Sequence, residues 1–183
     1  MGLGRRTPGS VYEWQGLFRS GTPRGVAEPR WLADEMVGRL ARYLRFVGCD
    51  TEYVRGISDD EVLDRARAEG RIILTRDRRL AARAERALLL QSPDIAEQWR
   101  TVRAAFPELP GEIRFERCTE CNGVLQVVRD PAPEQRPEGV PWDRVLKGLP
   151  LFRCAECGHY YWEGSHTADI RRRLESWTSG SPP

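Results

Sequence analysis

Lysine is almost absent from this chain of 183 residues: Lys147 is the only one, and arginine supplies the other 28 of the 29 basic side chains. Chemistry that needs a lysine is therefore excluded before residue 147, including that of a phosphorylated receiver domain. Histidine is nearly as scarce, and His159 and His166 both fall late, so no Ser-His-Asp constellation can be drawn. There is no G-x-G-x-x-G and no G-x-x-x-x-G-K, which removes the dinucleotide and P-loop signatures. The D-x-D-x-T of haloacid-dehalogenase-like phosphatases is missing too, since the first strand is followed by Asp34-Glu-Met-Val-Gly38. No apolar run approaches the roughly 18 residues of a membrane span. Nor does an apolar segment follow Arg5-Arg6, so neither a secretory nor a twin-arginine signal is expected. Charge of one sign is not in excess either. The net value is +2, divided as +3 over 1–30, 0 over 31–110 and −1 over 111–183.

Four of the five cysteines stand in two hooks, Cys118-Thr-Glu-Cys121 and Cys154-Ala-Glu-Cys157. Two C-x-x-C units supply the four thiolates of a closed tetrahedral zinc site. Gly123 and Gly158 follow the hooks closely, where a knuckle needs a permissive backbone. Strand-like runs, Val124–Val128 and His159–Trp162, come next. The competing assignment is two disulfides, which a chain without a signal segment and with an unpaired Cys49 does not favour. A zinc-thiolate site and a free thiol suit a reducing cytoplasm. The 32 residues between the hooks exceed the usual ribbon spacing, and Pro131, Pro133, Pro137, Gly139 and Pro141 predict a loop there.

Three segments are expected. Residues 1–30, rich in Gly, Pro and Arg, read as a poorly ordered tail on which Trp14, Leu17 and Phe18 dock a turn. Residues 31–110 alternate strand and helix. The strands are Trp31–Ala33, Thr51–Val54, Arg71–Thr75 and Ala87–Gln91. A helix over Met36–Val47 has Met36, Val37, Leu40, Tyr43, Leu44 and Val47 on its apolar side, with Arg39, Arg42 and Arg45 opposite. Ser58 and Glu61 form a capping box for a helix through Glu69. A short helix to Glu85 and another over Ser92–Phe106 complete the series. This β-α order implies a three-layer α/β domain with a parallel sheet. Residues 111–183 then form a small β-rich zinc ribbon with a final helix over Thr167–Trp177.

Asp34 follows the first strand, Asp77 follows the third, and Asp59 and Asp60 open the helix reached from the second. All sit at the carboxyl edge of the sheet, where ligands bind in such folds. Carboxylates gathered there repel unless a cation lies between them, and Mg²⁺ or Mn²⁺ takes oxygen ligands while keeping waters for chemistry. Each of these aspartates also suits a plain helix cap. Asp50, at the opposite edge, suits a structural role.

The residues Trp31–Thr51, Ser58–Leu63, Glu69–Asp77, the two hooks and Tyr161-Trp-Glu-Gly-Ser-His166 together resemble the Mut-seven C-terminal RNase family. The resemblance spans about residues 30–175 with five motifs in order. It implies a PIN-like nuclease fold fused to a zinc ribbon, and RNA as substrate. Carried over, Asp34, Asp59 and Asp77 match the acidic positions that hold a catalytic Mg²⁺ or Mn²⁺, with Asp60 able to substitute for its neighbour.

The expectation is thus a metal-dependent ribonuclease. Arg39, Arg42, Arg76, Arg78 and Arg79 are the phosphate contacts, and the same arginines also suit solvated helix faces. Arg76 also suits a pairing with Asp34 or Asp59. Tyr160, Tyr161 and Trp162 either stack on bases or fill the ribbon core. The alternative is a non-catalytic RNA- or ribosome-binding adaptor whose ribbon meets a ribosome or protein partner.

Overall fold

The computed structural model describes residues 28–129 and 136–179. The expected tail up to residue 27, with Trp14, Leu17 and Phe18, and the loop residues Pro131 and Pro133 lie outside the described residues.

Four short strands, β1 (Trp31–Ala33), β2 (Thr51–Tyr53), β3 (Ile72–Thr75) and β4 (Ala87–Leu89), form one sheet in the order β2-β1-β3-β4. Every pair is parallel, with Trp31 opposite Thr51 and Ile72, and Leu74 opposite Leu88. Successive side chains of a strand face opposite ways, so the sheet buries two faces. Trp31, Ala33, Ile72 and Leu74 meet α1 (Gly38–Phe46) and α4 (Ile95–Ala105). Leu32, Val54 and Ile73 meet α2 (Asp59–Glu69) and α3 (Arg78–Arg83). The three-layer α/β arrangement is therefore present.

Local rules explain most boundaries. The Ser58 hydroxyl accepts from Glu61 N, and Glu61 Oε2 accepts from Ser58 N at 2.8 Å, so the capping box is made. Gly70, in the left-handed region at φ +63°, ends the helix. The expected helix over Met36–Val47 is split. Asp34 Oδ1 accepts from Met36 N at 2.9 Å and closes a 3-10 turn over Glu35–Val37 before α1 starts. A 3-10 turn has three residues instead of 3.6, so the phase shifts and Met36 turns out to solvent, 48% exposed.

A second sheet is antiparallel and small: β5 (Leu125–Val127), β6 (Leu151–Cys154) and β7 (Tyr160–Trp162), in that order. A short helix, α5 (Trp142–Val145), precedes β6. The last helix, α6 (Ser165–Ser179), leaves this sheet and returns to the larger core. Leu174 and Trp177 are buried beside Trp99 and Tyr43, and the Tyr43 and Trp177 rings meet edge-on at 4.6 Å.

Candidate functional site

The hooks come together. The four sulfurs of Cys118, Cys121, Cys154 and Cys157 lie within 4.8 Å of one another, and none of the cysteines is in a disulfide. Zn–S bonds of about 2.3 Å in a tetrahedron place sulfurs about 3.8 Å apart, and the Cys118–Cys157 and Cys121–Cys154 pairs stand at 3.5 Å. The quartet can hold a zinc ion. Burial raises the Cys154 thiol, but the backbone N–H groups of Cys157 and Glu156 and the neighbouring thiols outweigh it and bring the group to about 7. A group so poised gives up its proton readily to a metal. Asn122 takes the left-handed conformation at φ +67°. Gly123 serves a different need from the one its sequence position suggests. A Cβ there would stand 2.8 Å from Cys154 Sγ and 2.7 Å from Glu156 Cγ. Tyr161 belongs to this centre, its hydroxyl lying 3.1 Å from Cys118 Sγ and accepting from Thr119 N. Tyr160 lies under the Arg153 guanidinium, 5.8 Å from ring centre to carbon. Cys49 stands apart in the larger core, where burial pushes its thiol up to about 12 and leaves it unreactive.

The first hook is fastened to the parallel sheet. Thr51 N, on the outer strand β2, donates to Asn122 Oδ1 at 2.9 Å. Asn122 Nδ2 donates to Asp50 Oδ1 at 2.8 Å and Glu52 Oε1 at 3.1 Å. Arg45, expected on the exposed side of α1, is buried. Its guanidinium donates to the carbonyls of Thr51 at 2.8 Å, Thr119 at 3.1 Å and Glu120 at 3.0 Å. Arg42 pairs with Glu120 at 2.9 Å. These two arginines of α1 therefore hold the hook, and the signal that reveals it is tertiary. Asp50 accepts from Arg30, Arg71 and Asn122, the structural role its edge suggested.

At the other edge, β1 delivers Asp34 and β3 delivers Thr75 and Asp77. The Thr75 hydroxyl, fully buried, donates to Asp34 Oδ2 and accepts from Asp77 N, the latter at 2.8 Å. Asp77 Oδ1 accepts from Arg79 N at 2.6 Å and Leu80 N at 3.2 Å, capping α3. Burial raises the Asp34 carboxyl above the ordinary range, its hydrogen bonds from Thr75 and Met36 pull it back in part, and the charges of Glu35 and Asp77 raise it further. Asp34 and Asp77 thus feel each other through a shared threonine, which sequence reasoning did not single out.

Asp59 and Asp60 have a different partner. Arg83 of α3 lies 3.6 Å from Asp59 Oδ2 and also pairs with Asp60. Among the described residues, the cysteine quartet is the one group of three or more side chains at metal-holding distance. Arg39, Arg76, Arg78 and Arg79 make no ion pair among the described residues, and the Arg76 Nε is buried without a hydrogen-bond partner. Arg76 is therefore paired with neither Asp34 nor Asp59. Arg55, two residues past β2, is unpaired as well. All five follow the carboxyl ends of β1, β2 and β3. Elsewhere Arg30, Arg65, Arg67, Arg71 and Arg100 face carboxylates, while Arg86, Arg103, Arg114, Arg153 and Arg173 make no ion pair among the described residues. His159 and His166 are exposed, away from the quartet's ligand shell.

The Mut7-C RNAse domain family matches residues 29–174, a span that takes in both the acidic edge and the two hooks. The chain belongs to that family. Membership in Mut7-C indicates a nuclease-related role and points to RNA. No curated protein and no solved structure gives a match. Among the described residues, no helix is long and apolar enough to cross a membrane.

Proposed function

We propose that this chain is a metal-dependent ribonuclease, a hydrolase of RNA phosphodiesters built on a PIN-like domain over residues 31–110 with a zinc ribbon over 111–183. The observation that carries the proposal is the Asp34–Thr75–Asp77 linkage at a sheet edge bordered by arginines that have no acidic partner. Asp34 Oδ2 and Asp77 Oδ2 face no backbone donor. Mg²⁺ or Mn²⁺ needs only one or two carboxylates plus waters, which Asp77 Oδ2 and Asp34, already held by Thr75, would supply. When bound, the ion activates a water and offsets charge on the phosphodiester. Thr75 fixes the Asp34 carboxylate through one hydrogen bond and the Asp77 backbone through another. Arg39, Arg78 and Arg79 bind phosphates, since phosphate contacts position a strand without reading its sequence. Asp59 and Asp60 join the site only when Arg83 releases them. The ribbon aids the binding of substrate or of a protein or ribosome partner, in the cytoplasm.

The Arg83 pairing supports a second reading, a non-catalytic RNA- or ribosome-binding adaptor, because it withdraws two of the four expected carboxylates. A panel of labelled RNAs incubated with Mg²⁺, Mn²⁺ or a chelator, with zinc content measured in each arm, separates the two. A ribonuclease cleaves only in the divalent-ion arms, whereas an adaptor binds RNA and leaves it intact. For the enzyme, Asp77→Asn keeps the helix cap but removes an anionic ligand, and cleavage falls at least about tenfold, the scale of losing a metal's transition-state stabilisation. Unchanged metal-dependent cleavage by that variant, with contaminating nuclease excluded, contradicts the assignment.

A further inference from the structure

We propose that the outer edge of β4 pairs, antiparallel and about a two-fold axis at Leu88, with the same edge of a second copy of this chain. The pairing joins two four-stranded sheets into one. It is independent of the ribonuclease reading and lies away from the acidic edge.

The sheet order β2-β1-β3-β4 leaves two outer strands. The free side of β2 is taken up, since Asn122 accepts from Thr51 N and Arg45 donates to the Thr51 carbonyl. β4 has no such cover among the described residues. Arg86 O accepts from Ile73 N at 3.0 Å and Leu90 N donates to Thr75 O at 2.8 Å, so these groups face β3. Successive residues of a strand alternate in direction. The N–H and C=O groups of Ala87 and Leu89 therefore point away from β3, and none of the four has a hydrogen-bond partner among the described residues. An open row of this kind is a template for another strand. Natural edges are commonly blunted by charge or proline, but Ala87-Leu-Leu-Leu90 carries neither. Ala87, Leu88 and Leu89 are only half-buried.

Symmetry and charge select the occupant. In an antiparallel ladder, opposite residues of a closely spaced pair exchange both of their backbone bonds. With Leu88 on the axis, Ala87 of one copy faces Leu89 of the other, and Leu89 faces Ala87. All the outward groups of one copy are then met by the same groups of its partner, which is how a two-fold contact uses a single patch twice. A strand of another protein would have to bring its own match. No charged residue lies within Ala87–Leu90, so the axis sets no like charges against each other. The two ends of the strand are complementary. Arg86 precedes β4 and makes no ion pair among the described residues. Asp94, which caps α4 by accepting from Glu97 N at 3.0 Å, makes none either. Antiparallel pairing sets the Arg86 end of each copy beside the end of the other that leads into Asp94, so the same attraction acts twice. The carboxyl edges of the two copies point in opposite directions, and neither completes the other's acidic site.

The test is sedimentation equilibrium of the full chain over micromolar to millimolar concentrations, where the wild type should show a monomer–dimer equilibrium. Leu89→Pro removes an outward donor and leaves the bonds to β3 in place. It should weaken the dimer at least about tenfold, because one hydrogen bond is lost on each side of the axis. Arg86→Glu turns both attractions at the strand ends into repulsions and should weaken it at least about threefold. Amide exchange followed residue by residue should find Ala87 and Leu89 protected at high concentration and open on dilution, with Leu88 protected at both. If Leu89→Pro unfolds, Arg86→Glu and the exchange pattern decide. A wild type that stays monomeric overturns the pairing. A dimer that neither variant weakens, or whose Ala87 and Leu89 amides exchange as fast as in the monomer, uses another surface and overturns it too.

Discussion

Asp34 and Asp50 lie at opposite ends of the parallel sheet, and their surroundings push their carboxyl groups in opposite directions. Burial raises Asp50, but the hydrogen bonds from Arg71 and Asn122 and the charges of Arg71 and Arg117 win, and the group falls to about 2. A carboxyl depressed on folding stabilises the fold above its unfolded value and loses that contribution as pH falls through the folded one. Asp50→Asn should therefore cost on the order of 2 kcal/mol at pH 7, and the gap to wild type should close between about pH 4 and pH 2 in urea unfolding. Asp34 is raised, mainly by burial, so its ionised form costs the fold stability as pH climbs through and above the unfolded value. Asp34→Asn should accordingly unfold at the same or higher urea concentration than wild type at pH 8, with the difference vanishing near pH 4, while cleavage drops at least about tenfold. A lower midpoint at pH 8 would show that the ionised carboxylate is favourably held. Both aspartates were legible as to which edge they occupy, because a parallel strand fixes its own direction. Arg45 was not legible. Steps of three along a helix with 3.6 residues per turn drift by about 60° each, so Arg45 stands about 120° around from Arg39, and only the docked hook makes that flank an interior.

Between elements, the principal joint is β2 against the first hook. An outer strand leaves a row of unpaired backbone donors and acceptors, and Asn122 takes up the one at Thr51 while Arg45 takes the Thr51 carbonyl. The joint needs the knuckle, whose four thiols can hold a zinc ion. Asn122→Ala removes three hydrogen bonds, two of them to carboxylates, and forces a β-carbon residue without polar compensation into the left-handed region. A loss of about 2–4 kcal/mol is expected, with zinc still bound at one per chain by elemental analysis. Zinc loss together with the stability loss would mean that Asn122 shapes the hook instead of joining it to the sheet. Helix starts were the most readable features here, since Ser58 and Glu61 satisfy each other's backbone locally. The strand Leu151–Cys154 and the helix Trp142–Val145 were not read from the sequence. The strand's pairing is with β5 and β7, and four residues of helix carry too little periodicity to stand out.

Across the whole molecule, α6 is the element whose place differs most from its place in sequence. It was expected as the final helix of the ribbon segment, over Thr167–Trp177, but its apolar side covers Tyr43 and Trp99 of the first unit. Sequence order carries no record of that choice of partner, because an amphipathic helix specifies a buried face without naming what buries it. Trp177→Ala should lower stability by about 3–5 kcal/mol, as for other large buried aromatics, and the loss should appear in a single transition that the parallel-sheet core shares, read by Trp31 and Trp99 fluorescence. Two separate transitions, with the larger core unaffected, would show that α6 is not part of that core. The same return sets an order of events in folding. A contact such as Arg173 to Tyr43 spans 130 positions, and contacts of high sequence separation form slowly. During synthesis the helices of the first unit emerge long before the one that covers them, and the ribbon must be made in between. The nascent chain therefore carries an uncovered tyrosine-tryptophan face until α6 leaves the ribosome, which is the interval in which aggregation or chaperone capture competes with closure.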